Sequence, residues 1–408
     1  MDIRPILSAL ARHKLAALLI MLEIAASCAV ISNALFLIGD RMQHMRRPSG
    51  VDESHLVVVK VNAINRDGDA TALTAADLQA LRALPGVRAA SLASQVPFGN
   101  TMWFSGIKLV PDQQESSIVA TNYMVAEQGL RTLGLKLVAG RDFNPDEYID
   151  IAGVDDSKLT FPSVILTQTL ADRLFPDGAA IGKSIYVFGD APHRVIGVVA
   201  RLVQPRDGDD PASYQNAMLF PGRSSYVRGS YLLNVTDPAQ REQVLVAARQ
   251  ALASHGPLRI LDQKRSDTLQ ALRERYYRSD RAMAWLMGGV SVLLLLITGL
   301  GIVGLASFWV QQRTRQIGIR RALGATRLQI LRYFQTENFL LASAGIAVGM
   351  VLAYALNLLM MSRYELPRLP LYYLPIGAAL LWLLGQLAVL GPALRAAAVP
   401  PAVATRSA

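Results

Sequence analysis

MAWLMGGVSVLLLLITGLGIVGLASFWV, residues 283–310, is a run of 28 residues without a charged side chain. A helix needs about 20 apolar residues to cross a bilayer core about 30 Å thick. Three other stretches are long and apolar enough to do the same: Leu15–Ile38, Leu331–Met361 and Leu371–Leu394. The sequence therefore predicts an α-helical membrane protein with four transmembrane helices, at 15–38, 283–310, 331–361 and 371–394.

The composition agrees with a mixed architecture. Of the 408 residues 52% are hydrophobic and 18% are charged, and the mean hydropathy is +0.28. This is too apolar for an ordinary soluble protein and too polar for a chain that lies wholly in the membrane. The polar residues concentrate in 39–282, between the first two spans, where we expect a large domain.

The basic residues predict the orientation of the spans. The net charge is +10, yet residues 40–280 carry 27 Lys or Arg and 27 Asp or Glu, so the excess lies in the segments next to the spans. Basic residues cluster before the first span and between the second and third: Arg4, Arg12 and Lys14, then Arg313, Arg315, Arg320, Arg321, Arg327 and Arg332. By the positive-inside rule, 1–14, 311–330 and 395–408 are cytoplasmic. The domain 39–282 and the loop 362–370 are then outside, and the first span is a retained anchor.

The outer domain reads as an α+β extracytoplasmic domain of two subdomains, preceded and followed by stalk helices. His55–Val61 is rich in β-branched residues, and Thr74 to Asp77 resembles the capping box of a following helix. A strand–helix–strand pattern recurs near residues 231–261, which predicts a βαβ subdomain made of 50–114 and 226–266. Short strands at Ser163–Leu166, Ser184–Phe188 and His193–Val199 predict a β-rich insertion over 115–225.

The search for chemistry finds no enzyme active site. Gly178 to Ser184 resembles a phosphate-binding loop, but only three residues separate its glycines where four are needed, and a strand is expected to follow. The five histidines are scattered, the chain has one cysteine, Cys28, and no nucleophile motif is present. We therefore expect a non-catalytic chain without a metal or cofactor of its own.

Two features of the spans bear on function. Glu23 lies eight residues into the first span, where an ionisable group is costly. It is either a satisfied carboxyl at a helix interface or part of a proton relay. Gly345 and Gly349 form a Gly-x-x-x-Gly motif, which allows two helices to approach closely, either within this chain or between two copies.

The segment between the second and third spans predicts a short amphipathic helix. Ile317, Ile319 and Leu323 give it an apolar side, Gly324 is a residue that ends helices, and Thr326 can cap the next one. Its arginines have two interpretations. They are either positive-inside charge, which can also contact anionic lipid, or part of a docking surface.

At these residues the sequence resembles a known family. QIGIRRALGA at 316–325, followed by a span with Glu337 near its start, is similar to the signature of MacB/FtsX-type ABC transporter permeases. The C-terminal GPALRAAAVPPAVATR at 391–406 resembles the closing segment of that family. Four motifs of the outer domain are similar to the MacB-like periplasmic core domain: GLKLVAGRDF (134–143), LADRLF (170–175), IGK (181–183) and RVIGVV (194–199).

The resemblance implies a mechanism called mechanotransmission. The helix between spans two and three would dock on a separate cytoplasmic ABC ATPase subunit, which binds the ATP and Mg. The implied coupling residues are Gln316, Ile317, Ile319, Arg320, Arg321, Leu323 and Arg327. Gln316 departs from the family, which usually has Glu there. The family also implies a second permease copy, as a homodimer or paired homologue.

Three functions are compatible with this family. The first is export of a peptide, antibiotic or other amphiphile, together with a periplasmic adaptor and an outer-membrane channel. The second is FtsX-like regulation of a cell-wall hydrolase, and the third is lipoprotein extraction. All three place a multi-pass protein in the lipid bilayer of the bacterial inner membrane, with both termini cytoplasmic, and none involves nucleic acid.

Overall fold

The computed structural model describes residues 14–64, 69–99, 101–155, 159–206, 213–254, 256–364 and 367–399. The basic residues Arg4 and Arg12 and the end of the chain beyond 399 lie outside this part. The chain divides into two compact units. One, here called the helical unit, is Met1–Arg46 with Ser279–Ala408, and the other, the mixed unit, is Arg47–Arg278.

The regular elements follow one another in this order. The helices are α1 Lys14–Met45, α2 Ala70–Arg82, α3 Gly129–Leu133, α4 Gln168–Leu174, α5 Arg241–Ser254, α6 Leu269–Tyr276, α7 Arg278–Gln312, α8 Thr314–Ala322, α9 Arg327–Tyr364 and α10 Tyr373–Ala398. The strands are β1 Leu56–Val59, β2 Val61–Ala63, β3 Val87–Ala93, β4 Phe104–Ile107, β5 Ile118–Val125, β6 Leu137–Gly140, β7 Ile149–Asp150, β8 Ser163–Thr167, β9 Ser184–Ile185, β10 His193–Val199, β11 Ala217–Arg223, β12 Ser230–Val235, β13 Arg259–Leu261 and β14 Asp267–Thr268.

Among the described residues, four helices are long and apolar enough to cross a membrane: α1, α7, α9 and α10. They overlap the four apolar stretches of the sequence, and the mixed unit combines helices with a sheet. The predicted fold class is therefore confirmed. Helices α1, α7 and α9 extend beyond their predicted stretches at both ends, whereas α10 begins at Tyr373, two residues after the predicted start at Leu371.

Helices α1 and α9 are in close contact through small residues. A Cβ atom built on Gly349 would lie 2.5 Å from the Cβ of Cys28 and 2.7 Å from the carbonyl oxygen of Ala25. One on Gly345 would lie 3.0 Å from the Cβ of Ile24. The Gly-x-x-x-Gly motif therefore packs α9 against α1 of the same chain. Of the two interpretations of the motif, a contact within the chain is the one observed.

Polar side chains inside the spans bond to neighbouring helices. The hydroxyls of Ser27 and Thr298 are 2.7 Å apart and join α1 to α7. The amide of Asn33 donates to the carbonyl oxygens of Ala29, at 2.9 Å, and of Ala353, at 3.0 Å. Because an unpaired polar group in hydrocarbon is costly, these side chains fix how the helices pack.

The mixed unit is built on one twisted sheet. In the part of the chain that the structure describes, twelve strands join in it, with the main order β14-β1-β12-β3-β5-β11-β8-β10-β6. Strands β4, β7 and β9 pair with β5, β11 and β10, and a separate two-stranded sheet joins β13 to β2. Strands β1, β12 and β3 are successively antiparallel, while β5 pairs with β11, and β8 with β10, in parallel.

Two hydrophobic cores cover different halves of this sheet. The first contains Leu81, Leu92 and Tyr231, and the second contains Phe161 and Phe220. The halves meet where β3 pairs with β5 at Ala93 and Val125. The two cores therefore lie on one continuous sheet, and the predicted bounds of the two subdomains stay a prediction.

A buried ion pair fastens α2 in the first core. The guanidinium of Arg259 binds the carboxylate of Asp77, and both side chains are almost fully buried. The Tyr231 hydroxyl donates to the same carboxylate. Burial, and then the nearby Asp77 charge, raise the pKa of Tyr231 far above its usual value. These contacts join α2, β12 and β13, which are distant in sequence.

Two local predictions for the mixed unit were wrong. Helix α2 is capped by Asp69, whose carboxylate accepts from the backbone amides of Thr71 and Ala72 at 3.0 Å. Thr74 lies inside the helix and bonds back to the carbonyl of Ala70 at 2.6 Å. The strand expected to reach Phe188 ends at Ile185.

The segment that resembles a phosphate loop leads into a strand, as the sequence predicts. Gly182 has a φ of +84°, and its amide donates to the carbonyl of Val195 at 2.8 Å. Strand β9 begins at Ser184. No helix N-terminus follows Gly182 and Lys183, so the geometry that a phosphate loop requires is missing from these described residues.

Candidate functional site

Helix α8 is a short helix with defined ends between two membrane spans. It begins at Thr314, directly after α7, and ends at Ala322. Gly324 follows with a φ of +97°, a conformation that favours glycine. The Thr326 hydroxyl accepts from the Gln329 amide at 3.3 Å, and the Gln329 side chain accepts from the Thr326 amide at 2.9 Å. This reciprocal capping box starts α9.

The entrance to α8 is fixed by a buried ion pair. Nη1 of Arg313, between α7 and α8, donates to both carboxylate oxygens of Glu337 on α9 at 2.9 Å. The Arg313 side chain is 12% exposed and that of Glu337 is 2% exposed. The guanidinium also lies 5.7 Å from the ring centre of Trp309. The pair therefore ties the start of α8 to α9.

Two of the predicted coupling residues point inward. Ile317 is buried in the hydrophobic core of the helical unit, which also contains Ile330 and Phe334 of α9. Nη1 of Arg321 donates to the carbonyl oxygens of Ala397 and Val399 at 3.1 and 2.6 Å. These carbonyls belong to the end of α10, which a basic side chain stabilises. Ile317 and Arg321 therefore hold α8 in place.

The other five predicted coupling residues are exposed and form what we call the α8 outer face: Gln316, Ile319, Arg320, Leu323 and Arg327. Leu323 is 83% exposed and Ile319 is 46% exposed. The Arg320 guanidinium lies 5.0 Å from the ring centre of Tyr333, so its position is restricted. An apolar centre among cationic side chains, on a helix whose opposite side is fixed, suits docking against another protein.

Glu23 lies apart from this face. It is on α1 and only partly exposed, and its carboxylate is packed against α7. A Cβ atom on Gly301 would come within 2.6 Å of one of its oxygens. No other described residue forms a hydrogen bond with it, so both interpretations offered by the sequence remain predictions.

The ion pair of Arg313 and Glu337 was not foreseen as a pair. In the sequence, Arg313 is one of several arginines of the basic loop and Glu337 is part of the family signature. A signal was available, because a carboxylate inside an apolar span calls for a cationic partner. Gln316, which stands where the family usually has Glu, is exposed. The carboxylate of the observed ion pair comes from Glu337 instead.

The titratable groups of the described residues form no metal site. No group of three His, Cys, Asp or Glu side chains in this part of the chain is placed to hold a metal ion. His193 is buried beside the rings of Phe161, Phe188 and Phe220, and burial lowers the pKa of its imidazole. Its Nδ1 lies 2.8 Å from the carbonyl oxygen of Phe161, a contact that holds the ring.

Two protein families match the chain in separate regions. The MacB-like periplasmic core domain matches residues 17–251, which is more than half of the chain. The FtsX-like permease C-terminal domain matches residues 288–401, which include α8, α9, α10 and most of α7.

Curated relatives carry related names. The macrolide export ATP-binding/permease protein MacB of Chromobacterium violaceum is 30% identical over 240 residues, which cover 57% of this chain and 34% of that protein. The protein of the same name from Shewanella sp. is 25% identical over 370 residues, 86% of this chain and 52% of that one. The uncharacterized ABC transporter permease YvrN of Bacillus subtilis is 27% identical over 261 residues, which cover 62% of this chain and 64% of that protein. The chain thus spans between a third and two thirds of their lengths.

A solved structure is also similar to part of the chain. The periplasmic region of MacB from Actinobacillus actinomycetemcomitans aligns with 52% of this chain and 88% of its own, at 19% identity and a TM-score of 0.33.

Proposed function

The chain belongs to the MacB/FtsX-type family of ABC transporter permeases, and from this we propose that it transmits the ATP-driven movement of a separate cytoplasmic ATPase to its mixed unit in the periplasm. ATP and Mg would be bound by that ATPase. The observation that carries the proposal is the α8 outer face, an exposed apolar and cationic surface on a helix held by buried contacts.

The construction of α8 supports a role in force transmission. A docking helix transmits movement only if it is connected stiffly to the spans. Here the Arg313–Glu337 ion pair connects α8 to α9, and Arg321 connects it to the end of α10. A displacement of α8 would therefore move two spans together and reach the mixed unit through rigid helices.

We propose that the transmitted movement exports a peptide, antibiotic or other amphiphile. The support is the similarity to relatives whose names describe macrolide export. The protein would lie in the bacterial inner membrane as two permease copies, with an adaptor and an outer-membrane channel. The exposed α7, with Trp285 at 81% and Leu300 at 71%, leaves surface for lipid or for the second copy.

The test is the ATPase activity that purifies with the tagged full-length chain from its own bacterium. We expect Ile319→Glu with Leu323→Glu to abolish this activity, because two carboxylates would replace the apolar centre of the α8 outer face. The matched control is Val246→Glu with Leu258→Glu. These residues of the mixed unit are 50% and 83% exposed, against 46% and 83% for the α8 pair.

Membrane insertion and thermal stability of both variants are measured alongside. If the α8 variant inserts normally and retains full copurified ATPase activity, α8 is not the docking site. Arg321 is unsuitable for such a test, because it donates to carbonyl oxygens at the end of α10 and reversal of its charge would disturb the fold.

A further inference from the structure

A basic cavity lies within the mixed unit, far in sequence from α8. Its volume is about 380 Å³. The described residues that line it include six basic side chains and no acidic one: Lys60, Arg206, Arg228, Lys264, Arg265 and Arg275. Residues 40–280 carry equal numbers of acidic and basic side chains, so this grouping is a local departure from a neutral domain.

Carboxylates compensate only part of this charge. Asp262 lies 3.6 Å from Nε of Arg265, and Asp267 lies 2.7 Å from Nη2 of Arg275. Arg206 and Lys264 are exposed at the cavity, and no carboxylate of the described residues pairs with either. Among the described residues, these two charges are therefore not neutralised by a carboxylate.

Lys60 adds a buried charge to the cavity wall. It is 8% exposed, and its ammonium donates to the carbonyl oxygens of Gly229 at 2.5 Å and of Tyr226 and Val227 at 3.3 Å. Burial, helped by the charge of Arg265, lowers the pKa of Lys60 to about 8, against the opposing effect of Asp262. The ammonium form of Lys60 therefore still predominates at neutral pH. Its hydrogen bonds go to carbonyl oxygens, which do not cancel its charge as a carboxylate would.

A strained turn supplies an aromatic wall. The Gly99 amide donates to the carbonyl of Val96 at 3.1 Å, and Phe98 between them has a φ of +62°. A bulky residue rarely adopts this conformation, and such strain persists only where the surroundings hold it. The ring of Phe98 is held by Tyr276, at 5.8 Å between ring centres, and by the guanidinium of Arg273 at 5.2 Å.

We propose that this cavity binds the phosphate group of an organic ligand. Phosphate offers more oxygen acceptors and more negative charge than a carboxylate, which suits basic side chains that converge from several loops. The cavity is larger than a bare phosphate, and Phe98, Leu272 and Tyr276 provide apolar contacts for an attached group. The phosphate belongs either to a phospholipid headgroup or to a water-soluble ester. This site is independent of the proposed ATPase coupling.

The experiment uses the full-length chain in a maltoside detergent and phosphate-free buffer. Inorganic phosphate and dihexanoyl phosphatidylglycerol, below its micelle concentration, are titrated separately by calorimetry. In Arg206→Ala with Lys264→Ala we expect binding to weaken about tenfold or more, because two charge-assisted contacts are lost. The matched control is Arg131→Ala with Lys183→Ala, which removes one exposed Arg and one exposed Lys outside the cavity.

The outcomes separate the two sources. Binding of inorganic phosphate that the cavity variant weakens supports a soluble phosphate ester, whereas binding of the phosphatidylglycerol alone supports a headgroup. Thermal melting establishes that both variants are folded. The proposal is overturned if neither probe binds saturably, or if the control variant loses as much affinity as the cavity variant.

Discussion

The arginines between α7 and α9 lie close together in sequence but make different contacts. Arg313 and Arg321 are engaged with a carboxylate and with helix-end carbonyls, whereas Arg320 and Arg327 are exposed. Charge alone could not separate them, because the sequence does not say which arginines reach a partner within the fold. The same limit applies to Ile317 and Ile319, two residues apart, of which only the second is exposed.

The Arg313–Glu337 pair leads to a stability prediction. Glu337→Gln leaves the Arg313 charge buried without its carboxylate, and breaking a buried pair in this way costs about 3–5 kcal/mol. We expect a clear fall in the melting temperature of the detergent-solubilised protein, together with lower copurified ATPase activity, because α8 loses its connection to α9.

The companion variant removes both charges. Arg313→Met with Glu337→Leu leaves no buried ion unpaired, so its melting temperature is expected to lie well above that of Glu337→Gln. If the single and double variants melt alike, the pair does not behave as a buried ion pair.

At the scale of elements, local signals predicted more than long-range ones. Gly324 follows the end of α8, and Thr326 caps the start of α9 at Arg327, as residues next to each other in the sequence predict. The start of α2 was misplaced because Thr74 is used by a distant element: its hydroxyl accepts from the amide of Tyr226 at 3.0 Å. No spacing within the helix carries that information.

Two central strands could not be predicted from the sequence. They are β5 and β11, which pair in the middle of the sheet. Buried Thr121 and Asn122 interrupt the apolar pattern of β5, and Pro221 and Gly222 in β11 are typical of turns. The side-chain amide of Asn122 donates to the hydroxyl of Ser105 on β4 at 2.7 Å, a contact that only the complete sheet reveals.

The contact between α1 and α9 gives a prediction for helix packing. Gly349→Leu would drive a side chain into Cys28 and the carbonyl of Ala25, so we expect a loss of about 1–3 kcal/mol of stability. Gly288→Leu is the matched control, because a Cβ atom there meets nothing within 4 Å among the described residues. Thermal unfolding in detergent compares the two. Equal melting temperatures would show that α1 and α9 are not packed through Gly349.

At the scale of the whole molecule, charge and apolar length together predict the topology. The apolar runs locate the spans, since backbone groups in a membrane must bond within helices. The basic residues outside a neutral domain then predict which side each loop occupies. Apolar length and charge distribution are both averages over many residues, so a wrong prediction for a single cap or strand does not change them. The identity of a transported molecule would depend on a few contacts and has no comparable signal.

Cysteine labelling tests this topology directly. In a Cys28→Ala background the chain has no native cysteine, so Lys183→Cys reports on the mixed unit and Gln312→Cys on the end of α7 next to α8. With a membrane-impermeant maleimide on intact spheroplasts, we expect labelling of Lys183→Cys at once and of Gln312→Cys only after permeabilisation. Unmodified Cys28 is buried inside α1 and should stay unlabelled in both conditions. The reverse labelling order would place α8 outside the cell, away from ATP, and would exclude coupling to a cytoplasmic ATPase.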